Sequence, residues 1–142
     1  MFALETLSYL STDVTQFIEI TDDFKEIAEN SGVTNGLVAV ISAHTTTGIV
    51  VNEGLPCVET DIADTLDRLV PLDEPYAHAH FLPSYGATGN NSCGHIKGTL
   101  TGNHCLFPMQ DGKVVCGKAQ SVYLTDFDGP QRRRVYVVVM GE

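Results

Sequence analysis

The chain has 142 residues, enough for a single domain that buries about two-thirds of its unfolded surface without disulfides or metals. Eight Lys and Arg stand against 18 Asp and Glu, and the net charge of −10 argues against sequence-independent binding to nucleic acid or an anionic membrane. No apolar run approaches the ~20 residues that span a bilayer, and MFALETLSYL lacks the basic start of an export signal, so a cytoplasmic protein with four reduced thiols is expected.

Residues 2–9 and 13–20 alternate in the manner of strands, with the turn residues Ser11-Thr12-Asp13 between them, which predicts a hairpin-like pair. Thr21-Asp22-Asp23 has the composition of a helix start. Phe24, Ile27 and Ala28 follow at helical spacing and Gly32 is a natural stop. Residues 36–42 and 47–52 read as buried strands. Pro56 opens a second helix whose stripe is Val58, Ile62, Leu66 and Leu69, closed by Pro71, with Asp64 and Arg68 spaced to pair. Residues 72–94, rich in Pro, Gly, Asn and His, read as one long irregular stretch of the kind that often carries function. A strand at 105–109, an Asp111-Gly112 turn, a strand at 113–116, and strands near 120–125 and 134–140 complete the chain. The expected fold class is α+β, with mainly antiparallel β-sheets and two or three helices in one domain spanning residues 1–142.

Polar residues interrupt this apolar frame at Ser42-Ala43-His44-Thr45-Thr46-Thr47, between two strands. Buried hydroxyls and imidazoles are costly unless paired, so the segment is expected to line a pocket. Four of the five histidines fall between residues 78 and 104, and Glu53, Asp61 and Asp126 sit at element ends. Each residue has a bland alternative: a core histidine held by a threonine, a surface acid, a solvated helix face. His78-x-His80 is a metal-type spacing only in a strand, and His104 has no supporting context. As a set, imidazoles with acids fit either a divalent-metal site or a general acid/base pocket, and composition does not separate the two. Arg132-Arg133-Arg134 is the one concentrated positive run. Its arginines alternate faces in a strand, as a solvated edge or as a phosphate-docking fork.

Taken in order, His44-Thr45-Thr46, Asn52-Glu53, Val58-x-x-Asp61, Tyr76-x-His78, Gly94-His95-Ile96-Lys97, Asp111-Gly112-Lys113, Gln120, Asp126 and Asp128-Gly129-Pro130 resemble the YjbQ-like family, UPF0047. The resemblance covers residues 36–142 strongly. It implies the YjbQ-like fold, a homotrimer, and a pocket near the polar series. It also implies an activity assigned to some members, secondary thiamine-phosphate synthase. That transferase joins a pyrimidine diphosphate to a thiazole phosphate and releases pyrophosphate. Three positions depart from the family pattern: Ala119 stands where Trp is usual, Asp126 where Glu is usual, and Gln131 where Arg is common.

On that reading His44, His78, His95, Glu53 and Asp61 are the expected catalytic residues. Thr45, Thr46, Thr47, Asn52, Gln120 and Arg133 would bind substrate, a small phosphorylated metabolite. Glu53, Asp61 and Asp126 would hold Mg²⁺, which an acidic protein needs to offset a pyrophosphate leaving group. The alternatives are a metal-dependent hydrolase, with His44, His78 and His95 on a transition metal such as zinc, and a non-enzymatic metabolite-binding trimer.

Overall fold

The computed structural model describes residues 1–80 and 91–142, without the side chains of residues 79 and 80. Nine residues in extended conformation, Phe2–Leu10, form β1, and Gln16–Glu19 form β2. The helix α1 spans Thr21–Asn30, followed by β3 (Gly36–Ser42) and β4 (Thr47–Asn52). Then come α2 (Pro56–Leu69), one turn of helix α3 (Ala77–His80) and α4 (Ser92–Thr101). The chain ends with β5 (His104–Gln110), β6 (Lys113–Val114), β7 (Ser121–Asp126) and β8 (Arg132–Gly141). The strands pair antiparallel in two sheets, β1-β8-β3-β5-β6 and β2-β7-β4. The α+β class is therefore as the sequence reads.

Alternation along each strand sets which residues enter the core. Val38 and Val40 of β3, Phe107 and Met109 of β5, and Val135, Val137 and Val139 of β8 form one inner face. Ile49, Val122 and Leu124 come from the smaller sheet, and Ile20, Phe24 and Ala28 at α1 close the same cluster. Phe24 and Phe107 stack with centroids 5.7 Å apart. The opposite side of the smaller sheet carries helices. A Cβ at Gly48 of β4 would collide with the Thr101 side chain of α4, and the Tyr123 hydroxyl lies 3.4 Å from Glu59 of α2.

Four local expectations are corrected. β1 and β2 are not a hairpin: β1 pairs with β8 and β2 with β7. The chain turns between sheets at Ser11, whose buried Oγ donates to Asp126 Oδ2 at 2.7 Å and accepts from the Gln131 amide at 2.8 Å. Arg68 donates to Thr65 Oγ1 rather than pairing with Asp64, and Leu69 is exposed instead of completing the α2 stripe. The stretch 72–94, read as irregular, includes α3 and the first turn of α4; residues 81–90 of it, and the side chain of His80, lie outside the described residues.

α4 escapes sequence reading for a physical reason. Its buried face is Ser92, Cys93, Gly94, Lys97 and Gly98, not an apolar stripe. Small residues let it approach backbone directly: a Cβ at Gly98 would lie 3.0 Å from Thr47 O and 3.1 Å from Thr45 O. Lys97 Nζ reaches Asp67 at 2.5 Å and ties α4 to α2. The Asp111-Gly112 turn is as expected, with φ of 51° and 74°, the left-handed pair of a two-residue hairpin.

Candidate functional site

The segment Ala43–Thr46 joins β3 to β4 and faces α4. Thr46 is fully buried and its amide donates to His44 Nδ1 at 3.1 Å. An amide N–H needs an acceptor, so Nδ1 bears no proton and the neutral ring carries its hydrogen on Nε2. Thr46 Oγ1 lies 2.8 Å from the same nitrogen and accepts from Arg133 Nη2 at 3.2 Å. Burial and the nearby Arg133 guanidinium hold His44 below its usual pKa of 6.5, against the opposite pull of Asp126 and Asp128. Both the geometry and the field keep this ring neutral at pH 7.

Arg133, on the inner face of β8, meets Asp126 at the end of β7 in a two-point buried pair: Nε to Oδ2 at 2.8 Å and Nη2 to Oδ1 at 3.1 Å. Asp126 also accepts from Ser11 Oγ and, at 2.9 Å, from the Asp128 amide. Both carboxylate oxygens are thus engaged. Asp126, expected to hold magnesium, is fully buried, with both carboxylate oxygens bonded to Arg133, Ser11 and the Asp128 amide. Arg133 Nη2 also donates to Asp128 O at 3.1 Å, while Nη1 has no hydrogen bond to a described residue. That unengaged edge belongs to a residue lining a cavity of about 560 Å³.

This cavity brings His44, His78, His95 and Thr45 together with Arg133 and Asp128. The rings of His78 and His95 meet edge to face, with centroids 5.3 Å apart and an interplanar angle of 83°. His44, Thr45 and His95 also line a second cleft of about 620 Å³, shared with Thr47, Thr99 and Asn103. Thr47 is buried and donates to His44 O at 3.0 Å, so it shapes the loop as well as the cleft.

Asn52, Glu53, Asp61 and Gln120 line neither cavity. Asn52 ends β4, five strand steps or roughly 17 Å from Thr47, and Glu53 follows it. Asn52 Oδ1 accepts from the Glu53 amide, and Gln120 Oε1 accepts from the Gly117 amide, each at 2.8 Å. Glu53 and Asp61, expected to hold magnesium with Asp126, are exposed and line neither of these cavities.

Asp128 and Asn91 are two site residues that sequence reasoning misses, although Asp128 lies in the Asp128-Gly129-Pro130 piece. Asp128 Oδ2 accepts from Asn91 Nδ2 at 3.0 Å, and its Oδ1 has no partner among the described residues. Among the described residues no three of His, Cys, Asp and Glu stand close enough together to hold a metal ion by themselves. No described helix is long and apolar enough to cross a membrane.

Comparison with known proteins supplies the family. Residues 5–142 match the model described as UPF0047 protein YjbQ-like. A UPF0047 protein of Archaeoglobus fulgidus is 36% identical over 122 residues, covering 86% of this chain and 89% of that one. UPF0047 protein YugU of Bacillus subtilis is 30% identical over 138 residues, covering 97% and 99%. Among solved structures, a protein of unknown function from Sulfolobus solfataricus superposes with a TM-score of 0.91 at 26% identity, covering 100% and 99%. An uncharacterized protein of the same family from Clostridium acetobutylicum gives 0.85 at 36% identity, covering 96% and 99%. The matched span, nearly the whole chain, and the shared fold place this protein in the YjbQ-like family, UPF0047.

Proposed function

We propose that the protein is a transferase acting on small phosphorylated metabolites, of the thiamine-phosphate synthase type. The observation that carries the reading is that His44, His95 and Arg133 line one cavity of about 560 Å³. In such a condensation the methylene C–O bond of the pyrimidine diphosphate breaks, and pyrophosphate leaves with the bonding electrons. The thiazole nitrogen lone pair forms the new C–N bond, with no net oxidation or reduction.

His44 would present Nε2–H to a phosphate oxygen, the role its fixed tautomer suits. Arg133 Nη1 would supply a second donor, and Thr45 a hydroxyl at the cavity wall. The charge of Arg133 is already balanced by Asp126, and Asp128 adds a further negative charge, so a bare anion gains little here. A phosphate accompanied by magnesium suits the site better, with Asp128 taking the cation. Bound Mg²⁺ would stabilise charge on the departing pyrophosphate. His95, within the same cavity and packed on His78, would exchange protons with a substrate.

The exposed outer face of the larger sheet supports self-association as the expected homotrimer. Phe2 and Leu4 of β1, Leu37 of β3, Leu106 of β5 and Met140 of β8 all lie exposed on it, beside Val138 and Pro108. A contiguous apolar sheet face of this kind marks an interaction surface. A second copy of the chain is the occupant proposed.

The direct test mixes the pyrimidine diphosphate, the thiazole phosphate and Mg²⁺ with folded protein and follows thiamine phosphate by mass spectrometry. Product formation, lost in His44→Ala, is expected. No product at high protein concentration rejects the transferase reading.

A further inference from the structure

A third cavity, about 440 Å³, shares His78 and His95 with the site above and is otherwise walled by Tyr76, Ala77, Ser92 and Ile96. Among the described residues, no Asp, Glu, Lys or Arg lines it. The Tyr76 hydroxyl donates to Pro71 O at 2.6 Å, which fixes the ring and leaves its apolar surface as its contribution to the wall. Ser92 is only 5% exposed, yet its Oγ has no hydrogen-bond partner among the described residues. Buried hydroxyls are rarely left this way, because the lost hydration is not recovered. An unpaired hydroxyl in an otherwise apolar, aromatic cavity is the pattern of a ligand pocket, where one polar group fixes the orientation of a mostly apolar guest. The volume lies near the lower end of small-molecule sites, which suits one ring system rather than a peptide or polymer.

We infer that this cavity is a subsite for an uncharged, planar heteroaromatic ring. The ring lies against Tyr76 and Ile96, and a ring heteroatom takes up the Ser92 hydroxyl. His95 lines both this cavity and the one with Arg133, so a single ligand can place its ring here and a phosphate there. Ser92, Tyr76 and Ile96 then determine which ring is accepted. The inference shares its phosphate cavity with the transferase reading but not its chemistry, and holds for any reaction or for binding alone.

The test uses the full chain with Mg²⁺ and calorimetric titration of three probes: methyl phosphate, benzyl phosphate and 3-pyridylmethyl phosphate. Burying a ring is expected to make benzyl phosphate bind roughly tenfold or more tightly than methyl phosphate. The nitrogen is expected to add about fivefold by bonding Ser92. Ser92→Ala removes an unpaired buried hydroxyl, so its melting midpoint should rise while the pyridyl advantage over benzyl disappears. Ala77→Leu and Ile96→Trp fill the cavity and should bring the ratio of benzyl to methyl phosphate affinity near one. Uncharged 3-pyridinemethanol, followed by saturation-transfer NMR, reads the ring subsite without the phosphate cavity and should lose its signal in Ala77→Leu. Equal binding of the three phosphates, or a ring advantage that survives both filling variants, overturns the inference. So does absence of 3-pyridinemethanol binding. Ring binding without thiamine phosphate formation would sink the transferase reading and leave this one standing.

Discussion

The Thr46 amide donates to His44 Nδ1 across 3.1 Å, so the backbone itself dictates which nitrogen of the ring holds the proton. Long-range ¹H–¹⁵N spectra at pH 7 should show His44 as the Nε2–H tautomer, with a titration midpoint below 6.5. The sign for stability follows. Between the depressed folded value and 6.5 the unfolded chain binds more protons, so this contribution is complete above about pH 6.5. It is lost as pH falls through the folded pKa. An Nδ1–H tautomer, or a midpoint at or above 6.5, contradicts the geometry.

Asp126 and Arg133 form a buried pair, and breaking one side leaves a stranded charge. Asp126→Asn should lower unfolding stability by about 3–5 kcal/mol in urea titrations. The double variant Asp126→Asn with Arg133→Met should recover much of that loss, because apolar replacement of a buried pair is often near neutral. Equal stability of the single and double variants counts against the pairing.

Gly98 lets α4 lie on the carbonyls of Thr45 and Thr47. Backbone on both sides cannot give easily, so Gly98→Ala should cost about 1–3 kcal/mol through overpacking. It should also shift His95 relative to His44, weakening ligand binding at a protein concentration and temperature where the fold persists. Unchanged stability would mean the helix has room that the structure does not show.

The helix α2 was legible because Pro56, an apolar stripe and Pro71 agree on one answer. α4 was not, because close backbone packing selects glycine and serine, which individually favour turns. The strands of the larger sheet were legible from alternation, yet the partner of β1 was not: nothing local in residues 2–10 states that β8 is its neighbour. His44, His78 and His95 were picked out by residue type and do share a cavity. The acids were harder. A carboxylate at a strand end reads the same whether it is buried against an arginine, as Asp126 is, or solvated, as Glu53 is.

Asp128, rather than Glu53 or Asp61, is the acid at the cavity. Asp128→Asn should reduce the Mg²⁺-dependent affinity for pyrophosphate by about tenfold, a loss on the scale of a charged hydrogen bond or ion contact. Glu53→Gln and Asp61→Asn should leave it within about twofold. Calorimetry with and without Mg²⁺ checks this. A large loss in either of the latter two would mean that a neighbouring copy delivers those acids to the site.

Leu106 projects from the outer face of β5, opposite Ala39 and diagonal to Leu37 of β3. If the proposed homotrimer forms through this face, Leu106→Glu should yield monomer in light-scattering chromatography, with little change in secondary structure. A wild-type protein that is monomeric at micromolar concentration removes the assembly from the account.

The most direct measurement of the shared cavity is histidine side-chain NMR during titration of inorganic pyrophosphate with Mg²⁺. The account expects the His44 and His95 ring signals to move together, saturating at one ligand concentration, with the His44 Nε2–H shifted by its new hydrogen bond. Saturable pyrophosphate binding that leaves both rings unmoved would contradict it.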